Sequence, residues 1–186
     1  MSKLKDNHQS IIKAKSKLMS IISELGEVEE DSAIEFITWC LEKSKYHKKH
    51  KLKEKLSALP YQMQRGDIVK VNFGINIGDE FSDSGTGSHF AVYWEQNGFQ
   101  IIVIPISAEE RQPQKNKFAQ NIGQIEGLPK GNDSYAKIDM IRSVSIRRIS
   151  RIYGQADGKI SLSKIKPEAI QQISDKIKEK FVIENS

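Results

Sequence analysis

Glycine is distributed so unevenly along this chain that it divides the sequence into two kinds of polypeptide. Of the twelve glycines in 186 residues, only Gly26 lies before residue 60. Residues 1–60 also contain a single proline, Pro60, and no arginine. A segment without breakers, whose apolar residues recur every three or four positions, is suited to helix. A segment punctuated by glycine between β-branched runs is suited to short strands and tight turns. The chain therefore reads as α+β, with an α-helical part over 1–60 and a β-rich part over 61–186.

In the first part, Ile11, the Lys15 stem, Leu18, Ile22 and Leu25, with Ile12 and Met19 beside them, form a helical stripe. Gly26 and the acidic stretch Glu27–Asp31 end it. Asp31 or Ser32 is expected to cap a second helix with Ala33, Phe36, Ile37, Cys40 and Leu41 on its apolar face. That helix runs into Lys43–Lys55, where seven lysines and His47 and His50 face a single acid, Glu54. The expectation is a helical hairpin with a basic tail, ending before Pro60.

In the second part Asp67–Phe73 alternates as a strand. His89–Trp94 and Phe99–Pro105 flank Glu95–Gly98, whose Asn97-Gly98 marks a hairpin turn. Ser134–Ile141 reads as a further strand, with a weaker one near Phe118–Ile122 inside the polar stretch 108–133. Pro167 opens a helix to about Ile183, with Ile170, Ile173, Ile177 and Phe181 on one face. The whole predicts a small, strongly curved antiparallel sheet closed by a C-terminal helix.

Composition narrows the class of function. No run of about 18 apolar residues is present, which excludes a helical membrane span. The first residues have no apolar stretch after their lysines, so a soluble, cytoplasmic protein is expected. One cysteine, Cys40, excludes an internal disulfide and a paired-cysteine zinc site. The net charge of +5 is compatible with a polyanionic partner without establishing one.

The order of pieces in residues 61–186 resembles the MazF/PemK family of toxin endoribonucleases. The pieces are Arg65-Gly66-Asp67-Ile68-Val69, a loop with Gly78-Asp79-Glu80, a glycine-rich approach to His89–Trp94, and the hairpin into Ile101–Ser107. Tyr135–Ser143 then looks like the family's late strand, and Arg147-Arg148-Ile149, Gly154, Gly158 and a terminal helix complete the order. The likeness covers about two thirds of the chain. It implies a small SH3-like antiparallel β-barrel of the CcdB/MazF type, with a C-terminal helix and, in this chain, a helical hairpin in front. It also implies a homodimer that cleaves single-stranded RNA (mRNA) without a metal or other cofactor, silenced by a cognate antitoxin, with no membrane involved.

The resemblance also points to site residues. His89 and Phe90 stand where the family usually has Arg-Pro; a histidine brings a proton shuttle where arginine brings a fixed charge. Ser107 occupies the place of a Thr or Ser whose hydroxyl bonds a phosphate oxygen. Lys137 would stabilise a phosphorane and Asp139 would orient a partner or the ribose, both expected on one face of the late strand. Arg142, Glu80, Asp79 and Phe90 are the expected RNA contacts.

Plainer roles exist for each. A lone histidine is more often structural than catalytic, but His89 is the only histidine in residues 61–186 and follows Gly85-Thr86-Gly87-Ser88. Ser107 suits a turn cap as well as a phosphate ligand. Lys137 and Asp139 suit an ordinary cross-strand pair. Gly85–Ser88 lacks the Gly-Lys-Ser/Thr ending of a phosphate loop. His47 and His50 have no third ligand in register, so no metal site is expected. The lysine tail is either an RNA contact or a solvated face. The hairpin's apolar stripe has its own barrel, a second protomer or an antitoxin to pack on. Two functional alternatives stay open, an abortive-infection type ribonuclease inhibited by RNA and a non-catalytic CcdB-like binding toxin.

Overall fold

The computed structural model describes residues 3–54, 63–78, 80–83, 87–107, 116–125, 133–150 and 163–182. By its internal contacts the chain divides into two compact units, Met1–Ser44 and Lys45–Ser186. Composition places the boundary near residue 60, whereas packing places it earlier, after Ser44. The last turns of the second helix go with the sheet.

The first unit is the expected helical hairpin. Helix α1 (His8–Glu24) starts at Asn7, whose side chain accepts the Ser10 N–H at 3.0 Å. This satisfies one of the otherwise unpaired first-turn donors. Helix α2 (Glu30–Lys51) starts one residue before Asp31, so Asp31 and Ser32 lie inside its first turn and neither is its cap. There Glu30 and Asp31 meet the positive end of the helix dipole. No residue of α1 is buried, and Trp39 is the one buried residue of α2. Leu18, Met19, Ile22 and Leu41 are all exposed.

Among the described residues the second unit holds seven antiparallel strands: β1 (Ile68–Val71), β2 (His89–Asn97), β3 (Gln100–Ser107), β4 (Ala119–Gly123), β5 (Ser134–Lys137), β6 (Arg142–Ser145) and β7 (Ile149–Ser150). They pair in the order β4-β5-β3-β2-β1-β7, with β6 also on β3. Among the described residues β4 and β7 do not pair with each other, so the sheet is barrel-like only loosely. The β2–β3 hairpin turns at Gly98, whose φ of 59° explains why Asn-Gly suits the position. The late strand is shorter than its composition suggests. It stops at Lys137, Ile138–Met140 form a 3-10 turn, and β6 resumes at Arg142.

Alternation along the strands divides the apolar residues between two faces. Ile68, Val92, Ile104, Ile106, Ala136 and Ile138 pack with Ala169 and Ile173 of helix α3 (Pro167–Phe181). Val69, Val71, Phe73, Ala91, Tyr93, Ile101 and Val103 form a second cluster with Val144 and Ile146. Phe81, from the loop after β1, packs against this second cluster.

The Arg65-Gly66-Asp67 segment is a structural knot. The Asp67 carboxylate accepts the Gln64 N–H at 2.6 Å, and Gly66 makes backbone bonds with Tyr93 and Ile165. Gly66 has φ 95°, and a Cβ there would sit 2.7 Å from Ile170 Cδ1. Only glycine combines that backbone with so close a helix. Arg65 caps the outside, donating to Trp94 O and pairing with Glu95 at 2.7 Å. Burial pushes the Tyr93 phenol above its ordinary range, with Glu95 and Asp67 adding to the effect.

Candidate active site

The sheet's second face ends in a polar row. Val71 pairs with His89, Ser107 with Tyr135, and Tyr135 with Asn121. The β2–β3 register runs as far as Ala91–Pro105; beyond it His89 pairs with Val71 of β1, and Ser107 pairs with Tyr135 of β5. By alternation along each strand, His89 falls on the face of Ala91 and Ser107 on that of Val103, the same side of the sheet.

His89 is held from behind by Asp83. Its Nδ1 lies 2.7 Å from Asp83 Oδ1, while Asp83 Oδ2 accepts the Gly74 N–H, also at 2.7 Å. The Asp83 N–H in turn donates to Gly74 O at 2.9 Å. Gly74 has φ 73°, the backbone that folds the loop back onto the end of β1. Asp83 has a side chain only 1% exposed, whereas that of His89 is 37% exposed. A carboxylate only accepts hydrogen bonds, so Nδ1 carries a hydrogen and a neutral ring presents its lone pair at Nε2. Among the described residues Nε2 has no partner.

The ring is also held sideways. Phe81 meets it edge to face at 5.0 Å between centroids and meets Phe73 the same way at 4.9 Å. The Phe81 carbonyl accepts from Arg142 Nη1 at 3.2 Å and from Asn76 Nδ2 at 2.7 Å, and Arg142 lies over the Phe73 ring. Arg142 therefore secures the loop that carries Asp83. Arg148 follows in the 3-10 turn Ile146–Arg148 and is half-buried. Desolvation pulls its guanidinium below the ordinary range; Tyr46 and Asp83 oppose that, and Arg142 adds to it.

The residues expected from sequence are only partly brought together. His89 and Ser107 lie on the same face of the sheet, beyond the last β2–β3 pair. Lys137, on the same face by alternation, pairs with Ala119 two strands from His89, about 10 Å across the sheet. Asp139 does not share a strand face with it, because it lies exposed in the 3-10 turn that follows the strand. Phe90 is turned to the opposite face from His89, against the α3-side core, with Lys70 near its ring. A residue next to His89 on a strand has no other choice. Arg142 reaches the site through Phe81. Glu80 is exposed, with its backbone bonded to Ile77 and Ser82. Asp79 lies outside the described residues. Asp83, Phe81 and Arg148 do not stand out from sequence as site residues. An acid six residues before a lone histidine in a loop of turn-formers looks like any other loop acid.

A buried carboxylate orienting a half-exposed imidazole, with two arginines close to that carboxylate's loop, is an arrangement for moving a proton next to an anion. Residues 64–181 match the family model of the PemK-like, MazF-like toxins of type II toxin-antitoxin systems. The matched stretch runs from the turn before β1 to the end of α3, well over half of the chain, and the protein belongs to that family. Membership makes it a toxin that has an antitoxin for a partner. No curated protein matches the chain. Among the described residues no helix is long and apolar enough to cross a membrane.

Proposed function

We propose that this toxin is an endoribonuclease that cleaves single-stranded RNA by attack of a ribose 2′-OH on the adjacent phosphate, with no metal ion taking part. The observation that carries this reading is the Asp83–His89 pair, which leaves Nε2 as a proton acceptor on the open side of the sheet. His89 takes the 2′-OH proton as the 2′-O–P bond forms. Asp83 holds the ring and stabilises the imidazolium. As the P–O5′ bond breaks, the leaving oxygen takes a proton from water, the imidazolium returns its proton to the hydroxide left behind, and the products are a 2′,3′-cyclic phosphate and a 5′-OH. The Ser107 hydroxyl donates to a phosphate oxygen, and Lys137 reaches over from β5 to offset the charge gathering on the phosphorane. A second protomer and a cytoplasmic setting, where mRNA is available, complete the proposal.

Incubating the protein with mixed RNA in EDTA and identifying the fragment ends tests it. Cleavage that persists, with cyclic phosphate and 5′-OH ends, supports the reading. Intact RNA under all conditions would leave a binding toxin, and cleavage abolished by EDTA would remove the metal-free mechanism.

A further inference from the structure

Helix α1 lies outside residues 64–181 and buries none of its residues. Its sequence nevertheless carries a seam at alternating spacings of four and three, Ile11, Lys15, Leu18, Ile22 and Leu25. Leu18 is 60% exposed and Met19, beside it, 62%. In α2, Ile34, Ile37 and Leu41 repeat the pattern and are also exposed. Trp39, the buried residue of that helix, is rotated from Ile34 and Leu41 by about 140° and 160°. Whatever covers Trp39 therefore leaves the Ile34–Leu41 face open. Helices in proteins gain most of their stability from packing an apolar face, so these two are incomplete as they stand. With Ile12 and Ile22, the exposed side chains offer on the order of 700 Å² of apolar surface, close to the roughly 800 Å² that one partner gives to a standard interface.

Charge says what the cover is. Lys13, Lys15 and Lys17 lie in the first half of α1, and no lysine or arginine occurs between Lys17 and Lys43. Acids fill that interval, and Glu24, Glu27, Glu29, Glu30 and Asp31 cluster where α1 gives way to α2. Helix α2 then ends in Lys43, Lys45, Lys48, Lys49 and Lys51. Each helix is thus acidic at the end joined to the other and basic at its free end. A uniformly acidic partner is repelled by the turn, and a uniformly basic one by the free ends. A second copy of the hairpin, turned end for end, sets acidic turn against basic ends in both directions and seam against seam. That is the self-complementarity a two-fold interface requires. Lys15, on the seam itself, favours the same orientation, because a parallel pair would bring two such lysines together.

We propose that the α1–α2 hairpin docks antiparallel on the hairpin of a second copy of this chain. The toxin then has a self-association contact outside the stretch that matches its family, and the contact is independent of how the toxin treats RNA.

The test uses the full-length protein and reads α1 itself, so that association through the sheet unit does not count. Amide hydrogen exchange of residues 8–24 is followed across protein concentrations, with sedimentation of the same samples. In wild type this exchange is expected to slow by about tenfold or more as concentration rises through the association range. Leu18→Lys/Ile22→Lys is expected to exchange fast at every concentration. Protection of α3, whose Ala169 and Ile173 are buried, should persist and show that the rest is folded. Lys13→Glu/Lys17→Glu is a milder variant, expected to weaken association about tenfold at low salt and less at high salt. Adding Glu24→Lys/Glu27→Lys to it should restore most of the loss, since the charges have then changed ends. Wild-type protection that does not vary with concentration would mean that the chain covers the face itself, and overturns the proposal. Fast wild-type exchange at every concentration, which would reserve the face for the antitoxin, overturns it too. An end-exchanged variant as weak as Lys13→Glu/Lys17→Glu removes the antiparallel arrangement.

Discussion

The face of the sheet under α3 and the face that carries His89 are made from alternate residues of the same strands, and they end differently. On the α3 side the apolar rows run on into a helix that supplies Ala169 and Ile173, and the cluster is closed. On the other side the apolar rows give way, at the level of His89, to a polar row covered in part by the loop that holds Phe81 and Asp83. Burial on the first face serves stability alone. Burial on the second also pins a carboxylate behind a ring that is itself only partly covered. A side chain can be rigid and reactive at once only where a packed surface ends, because packing fixes its orientation and the edge leaves room for a ligand.

This contrast is open to direct attack. The largest effect is expected from His89→Ala, which should lower RNA cleavage per folded molecule by about 10²–10⁴, with some loss of melting temperature because the buried Asp83 carboxylate loses a partner. Fragment formation and thermal melts on one preparation check both halves. Asp83→Asn should lower cleavage by at least about 10², since an amide can donate to Nδ1 and move the ring hydrogen to Nε2. Nitrogen NMR of the ring would show the exchanged tautomer, which a merely structural role for Asp83 would not produce.

The α3 side should behave in the reverse manner. Ile173→Ala is expected to cost about 2–5 kcal/mol of stability, read by denaturant unfolding, with cleavage per folded molecule unchanged. A variant that lost activity without losing stability there would break the distinction between the faces.

The smallest effect lies beyond the irregularity in β2 between Tyr93 and Glu95. The Gln96 N–H holds the Glu95 carboxylate below its ordinary range, with Arg65 adding to the effect. A depressed carboxylate stabilises the fold above its unfolded-state pKa, and the contribution is lost as pH falls through the lower folded value. Glu95→Gln should therefore lower the melting temperature slightly at neutral pH, with the difference vanishing in acid. A difference that grew in acid would mean that Glu95 is not held as the charged form.

Much of the scaffold is legible in local sequence. Pro167 and the spacing of Ile170, Ile173 and Ile177 mark α3, and Asn97-Gly98 marks the β2–β3 turn, because both depend on residues near one another in the chain. The end of β5 is not legible. Ile138-Asp139-Met140-Ile141 has strand composition, yet the chain turns there, with the Ile141 N–H donating back to the Ile138 carbonyl. The sides taken by His89 and Phe90 are hidden for a related reason. Both faces of β2 are apolar, so alternation shows that the two residues part without showing which goes where.

The candidate site is legible as a set of residue types and not as an arrangement. His89 and Ser107 stand out from sequence, and strand alternation puts both on one face of the sheet. Asp83 does not stand out, since its partner is chosen by a loop that turns back at Gly74. Lys137 and Asp139 look like a pair and are separated by the end of a strand.

Sequence alone determined that this chain is helix first and sheet afterwards, that its turns fall at particular glycines, and that one histidine lies in its β-rich part. These follow from the backbone freedom and side-chain period of residues close together in the chain. Tertiary structure decided that Asp83 stands behind His89, that Phe90 faces away, and that the basic end of α2 goes with the sheet. Those outcomes depend on contacts between residues distant in sequence, which no local preference encodes.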